Sequence, residues 1–228
     1  MDPKRSHLDA GLTRRDFVQT SMAGAAALAI GNPRLPFVPI DDRDTVVAQI
    51  AARHAQTVRM LQDWIALPSI AAENRNYPQG PEYMAKLARE AGFQHVEVVP
   101  TAGKSGVFAT LDSGAKTWLA IYFMYDVKQF EPSEWSSPPL EAKVIDRPGV
   151  GKVMIGRGAT NSKGPEMACL AAFHAFKAAN VKLPVNVVLV CEGEEEIGSP
   201  NFRQVVFKPE VEAALKKCVG MIIALGNQ

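Results

Sequence analysis

Val185-Asn186-Val187-Val188-Leu189-Val190-Cys191-Glu192-Gly193-Glu194-Glu195-Glu196-Ile197-Gly198 is the stretch on which the fold of this chain turns. Residues 185–191 are a nearly continuous run of β-branched and apolar side chains, the pattern of a strand covered on both faces. Such a strand needs a layer on each side, which points to an α/β domain when helical and strand patterns alternate along the chain. Four carboxylates, Glu192, Glu194, Glu195 and Glu196, stand within five residues at the carboxyl end of that strand. Ligands of such sheets bind beyond the carboxyl ends of the strands. Like charges this close repel unless a cation sits among them. A metal ion would answer, since hard cations take oxygen ligands and a neighbouring carboxylate can act as base toward bound water. A solvated acidic helix N-terminus accounts for the same residues equally well on this segment alone.

Working outward, Val47, Ile50, Ala51, His54, Val58, Leu61 and Ile65 recur at steps of three and four and predict a long amphipathic helix ending before Pro68. A second helix is expected from Pro81 to Gly92. Strands are expected at His95–Val99, Gly106–Leu111 and Trp118–Phe123, separated by glycine and Asp112-Ser113-Gly114 punctuation. Between Asp126 and Gly158 the prolines 132, 138, 139 and 148 suggest a mostly irregular stretch, and a loop this long in a compact domain is usually functional. A helix over Pro165–Ala179, one helix over Asn201–Lys217 and a last strand over Val219–Leu225 complete the series, that strand offering an open sheet edge.

The amino terminus is a different kind of sequence. Thr13-Arg14-Arg15-Asp16-Phe17-Val18 precedes a small and apolar run from Met22 to Ile30, with Ala27-Leu28-Ala29 as a cleavage site. That combination reads as a twin-arginine export signal over residues 1–30, and the run is too short to span a bilayer comfortably. The protein is therefore expected outside the cytoplasm, periplasmic or extracellular, without a membrane span once the signal is removed. Pro33, Pro36 and Pro39 mark residues 31–43 as an extended linker, so the fold should begin near Asp44. A net charge of +1 argues against nucleic-acid binding, which usually shows as a marked Lys/Arg excess. Cys169, Cys191 and Cys218 have no paired spacing and read as buried thiols rather than a zinc knuckle or disulfide framework. Gly156-x-Gly158 with Lys163-Gly164 has the wrong order for a phosphate loop.

Five motifs precede or form the acidic run in a fixed order: Leu67-Pro68-Ser69-Ile70, Tyr125-Asp126-Val127, Trp135-Ser136-Ser137-Pro138-Pro139-Leu140, Gly156-Arg157-Gly158-Ala159 with Lys163-Gly164-Pro165, and Glu194-Glu195-Glu196. With them the chain resembles metallopeptidase family twenty, which includes aminoacylase, carnosinase and glutamate carboxypeptidase. The resemblance implies a helix-flanked mixed or parallel sheet of the zinc-exopeptidase type, of which residues 44–228 would be the N-terminal part of the catalytic domain, truncated before the lid domain and C-terminal part. It implies two zinc ions bridged by an aspartate and a water, and a small peptide or N-acyl amino acid as substrate. Carried over position by position, Glu195 matches the general base, Glu196 a metal ligand, and Asp126 the aspartate that orients the first histidine ligand and tunes the base.

Two ligand positions depart from that pattern. Met124 stands where the family has its first histidine, and a thioether is a poor zinc ligand. Asn161 falls on the bridging aspartate. Two divalent cations about 4 Å apart repel by on the order of 16 kcal/mol at an effective dielectric of 20, and a neutral amide cannot offset that. The segment Leu225-Gly226-Asn227-Gln228 carries no carboxylate where the family has its next aspartate. His54, His95 and His174 fall in predicted helices or a strand and read as structural. The sequence therefore supports two readings: a hydrolase of peptide or N-acyl amino acid bonds whose metal chemistry is impaired, or a catalytically silent relative that binds a peptide-like ligand.

Overall fold

The computed structural model describes residues 40–226. The expected export signal and residues 31–39 of the expected linker lie outside them. Residues 40–43, assigned to that linker from sequence, are instead the first turn of helix α1, Ile40–Ile65. Pro39 was counted with the linker prolines, yet proline at or just before the first turn of a helix costs no hydrogen bond. No described helix is long and apolar enough to cross a membrane.

The described residues form seven strands, five of them in the order expected from the patterning. β1 (His95–Val99), β2 (Gly106–Leu111), β3 (Trp118–Met124), β6 (Asn186–Glu192) and β7 (Cys218–Ile223) form one sheet in the order β1-β2-β6-β3-β7. β2 pairs antiparallel with β1 and β6, while β3 lies parallel to both β6 and β7. The sheet is mixed, as the α/β reading allowed. β3 and β6 are joined through helix α3 (Lys163–Ala179), the crossover that parallel neighbours require.

Alternation along the strands divides the core into two layers. Val187, Leu189 and Cys191 join Ile121, Phe123 and Tyr125 on one face, against Trp64 of α1, Met84 and Leu87 of α2 (Gln79–Ala91), and Leu170 and Phe173 of α3. Val188 and Val190 face the other way, against Val205 of α4 (Phe202–Val206) and Val211 of α5 (Pro209–Leu215). All seven residues of β6 are buried, which is why its sequence shows no polar face. Gly92, at a φ of 106°, closes α2 in the left-handed conformation that glycine adopts without a Cβ penalty.

Two expectations need correction. The single helix over 201–217 is two short ones, because Pro209 removes a backbone donor and the preceding Lys208 is extended, with ψ at 128°. The stretch 126–158 is not wholly irregular: β4 (Lys143–Arg147) and β5 (Gly151–Ile155) form a separate antiparallel hairpin. Val144, Ile145, Val153 and Met154 are too few to show a period among charged neighbours and turn residues. β7 is the sheet edge anticipated from sequence, and Val219, Met221, Ile222 and Ile223 along it are about half exposed.

Candidate functional site

The parallel register places Met124 opposite Glu192, so the carboxyl ends of β3 and β6 stop side by side. The Tyr125 N–H donates to the Glu192 carbonyl and the Val127 N–H to the Ser69 carbonyl, both at 2.9 Å, which locks the chain on either side of Asp126. The Asp126 carboxylate is fully buried. It accepts the backbone N–H groups of Glu195 and Glu196 at 3.3 and 3.1 Å. These two bonds tie the turn of 3-10 helix at Glu195–Ile197 to the end of β3. Burial raises the Asp126 pKa to about 7, against the opposing pull of those N–H groups.

The four carboxylates of the acidic run are not equivalent. Glu192 accepts the hydroxyls of Tyr122 and Ser199, each at 2.8 Å, and burial raises its pKa against those two bonds. Glu194 accepts the Asn201 amide at 2.9 and 3.2 Å. Glu196 accepts the Asn161 amide N–H at 3.1 Å on one oxygen and has the Lys128 ammonium 3.7 Å from the other. Burial raises the Glu196 pKa and Lys128 works against that rise. The Glu195 carboxylate, half-buried, has no hydrogen-bond or ion-pair partner among the described residues.

Gly193 holds this loop against the core. A side chain there would collide with the Tyr125 ring, and the Tyr77 hydroxyl donates to the Gly193 carbonyl at 2.6 Å. Burial raises the pKa of Tyr77, Tyr122 and Tyr125 far beyond the ordinary phenol range, so all three act here only as neutral donors.

The structure thus brings Asp126, Glu195, Glu196 and Asn161 together. Met124 is fully buried beside them, its N–H donated to Glu166 Oε1 at 2.7 Å. Asn161 is committed on both ends: its Oδ1 accepts the Ser162 hydroxyl at 2.7 Å while its Nδ2 faces Glu196. The amide N–H and an ammonium therefore occupy the two oxygens that would otherwise be offered to a metal. Among the described residues no group of three or more His, Cys, Asp and Glu is placed to hold a metal ion. These donors do not fit a two-zinc centre. His95 stacks edgewise on Phe108 and His174 lies on α3, its pKa lowered by burial. The cysteines are free; Cys191 is buried, while Cys169 and Cys218, also read as buried from sequence, are half-buried.

Sequence reasoning did not single out Lys128, although it lies two residues after Asp126, nor the pairing of Arg157 with Trp135. The Arg157 guanidinium sits 4.9 Å from the centre of the Trp135 ring. Both residues had been quoted only as parts of motifs. Their contact joins two segments 22 positions apart and leaves no mark in local patterning.

Residues 120–227 match the model of Peptidase family M20/M25/M40. The Cys-Gly metallodipeptidase dug1 of Schizosaccharomyces pombe is 35% identical over 122 residues, which cover 51% of this chain and 24% of the relative. The M20 family metallo-carboxypeptidase Sso-CP2 from Sulfolobus solfataricus superposes with a TM-score of 0.64 at 32% identity, over 74% of this chain and 37% of that one. Human carnosine dipeptidase 1 shares the fold, with a TM-score of 0.68 at 24% identity over 81% of this chain and 41% of its own. The chain spans less than half the length of each of these relatives. By its ordered motifs, its mixed sheet and these matches, the chain is similar to the N-terminal part of the catalytic domain of Peptidase family M20/M25/M40.

Proposed function

We propose that this is a peptidase-type protein whose cleft, at the carboxyl ends of β3 and β6, takes a small peptide or an N-acyl amino acid, with its metal-dependent hydrolysis impaired. The peptide class is supported by the similarity to a Cys-Gly metallodipeptidase and a Beta-Ala-His dipeptidase. The impairment is carried by one observation: the Glu196 carboxylate is engaged by the Asn161 amide and the Lys128 ammonium. A cation entering there would have to displace an ammonium and turn an amide N–H away from the carboxylate. Met124 offers no imidazole in compensation.

Metal content of the purified protein tests this reading. Less than one zinc per chain should survive dialysis, measured by plasma mass spectrometry, and two retained equivalents would overturn the impairment. Met124→His combined with Asn161→Asp should raise the retained zinc, because it supplies an imidazole and replaces a donor with a carboxylate. The general-base role proposed for Glu195 has a separate test. Glu195→Gln should lower any residual dipeptide hydrolysis by at least ~10²-fold. Its stability should change by no more than about 0.5 kcal/mol, as the carboxylate holds nothing. An unchanged rate would remove Glu195 from that role.

A further inference from the structure

We propose that Arg157 is the carboxylate-binding residue of this cleft: its guanidinium, stacked on Trp135 and lacking an acceptor, lines a cavity that borders Asn161 and contains no acidic residue. The proposal rests on the cleft being a site for a peptide-like ligand and adds which end of that ligand is recognised, and by what.

The cavity has a volume of about 390 Å³ and is lined by Trp135, Met154, Ile155, Arg157, Thr160 and Asn161, with small residues between them. That size accommodates a ligand of dipeptide class. Arg157 is the charged residue of the lining, so the cavity is a positive one. A guanidinium presents five donors in a planar fork that matches a carboxylate with two parallel hydrogen bonds. Among the described residues none of these donors meets an acceptor, and the Nε–H is buried in that condition. Buried donors without acceptors are rare in folded proteins, and each calls for a reason.

The nearest carboxylate does not supply one. Arg157 is close enough to Glu196 to favour its charged form, yet the Glu196 oxygens are held by Asn161 and Lys128. The Trp135 ring meanwhile fixes the guanidinium at 4.9 Å and orients its plane before any ligand arrives. Arg157 stands next to glycines on both sides, and Gly158, at a φ of 90°, adopts a conformation that L side chains rarely take. The backbone there makes a close turn between β5 and α3, and Arg157 stands in it near enough to Glu196 to act on its charge. Trp135, Met154 and Ile155 give an apolar wall beside the charge, which suits a carboxylate attached to an apolar side chain: the C-terminal residue of a dipeptide, or the amino acid half of an N-acyl amino acid.

The test is calorimetric titration of the 228-residue protein with N-acetyl-L-leucine, with N-acetyl-L-leucinamide and with benzoate. The acid should bind at least ~10-fold more tightly than its amide, the discrimination expected when a desolvated fork loses its anion. Arg157→Gln should bring the acid down to the level of the amide. Arg157→Lys, which keeps the charge and the fold but not the fork, should retain only part of the preference. Equal binding of acid and amide by the unsubstituted protein, or undiminished acid binding by Arg157→Gln, overturns the proposal. So does failure of every carboxylate probe to bind. If benzoate binds in an Arg157-dependent manner while neither acetylated probe does, the carboxylate site stands and the peptide-like reading of the cleft falls.

Discussion

Lys163→Ala is expected to destabilise the protein by ~3–5 kcal/mol, in the range of the most damaging single substitutions. Lys163 is the first residue of α3 and fully buried. Its ammonium donates to the carbonyls of Trp64 and Leu67 at 2.7 and 2.9 Å and lies 5.6 Å from the centre of the Trp64 ring. The Trp64 carbonyl lies in the last turn of α1 and also accepts the Leu67 N–H at 3.2 Å, while Leu67 lies two residues past the helix, where the dipole favours a cation. One side chain thus bonds two backbone acceptors 99 and 96 residues away and pins α1 to the loop that carries Asn161. Alanine leaves the Leu67 carbonyl unpaired, at ~1–3 kcal/mol, leaves the Trp64 carbonyl with the Leu67 N–H alone, and opens a cavity besides. The midpoint of thermal unfolding should fall by roughly 6–20 °C for a domain of this size. Lys163→Met, which keeps the volume and the contact with Trp64 but not the donors, should lose less. A drop below about 2 °C for the alanine variant would mean that α1 is held by its apolar face alone.

Lys163 also marks the boundary of what could be read from the sequence. In the sequence it is one letter of a motif whose order is wrong for a phosphate loop. Its task depends on contacts across more than ninety residues, which no local pattern carries. The elements themselves were legible wherever burial imposes a period. β1 and β2 fall on the residues expected, β3 runs one residue further, and β6 and α3 are displaced by one or two residues. The hairpin β4–β5 was not legible because it packs little: its residues are mostly exposed, so nothing forced an alternation. The site divides in the same way. Asp126, Glu195, Glu196 and Asn161 were named in advance and stand together. That Glu196 is already engaged by an ammonium depends on Lys128 bending across from a separate loop, a three-dimensional fact with no signature in spacing.

Glu166→Gln should make stability depend on pH differently from the unsubstituted protein: as pH rises above about 4.3 the parent loses stability that the variant keeps, by up to ~1.4 kcal/mol for each pH unit until the folded carboxyl itself ionises. Glu166 lies one turn into α3, fully buried, with one oxygen accepting the Met124 N–H and the other without a partner among the described residues. Burial drives its pKa well above the ordinary carboxylate range, against the pull of that N–H and of Lys163. The folded protein therefore keeps the proton where the unfolded chain releases it. A raised folded pKa gives stability that is present in full below the unfolded value and lost as pH rises, so the glutamate costs most near neutrality. Glutamine keeps an acceptor for Met124 and has no proton to lose. Lys163 acts in the opposite sense higher up: burial lowers its pKa to about 7, so its effect on stability grows as pH rises from there toward about 10.4. Below about pH 6.5 the difference belongs to the carboxyl group, and from about pH 4.5 to 6.5 the glutamine variant should gain stability relative to the parent. Urea unfolding at both ends of that window measures the difference directly. Parallel profiles would show that Glu166 ionises inside the fold without penalty.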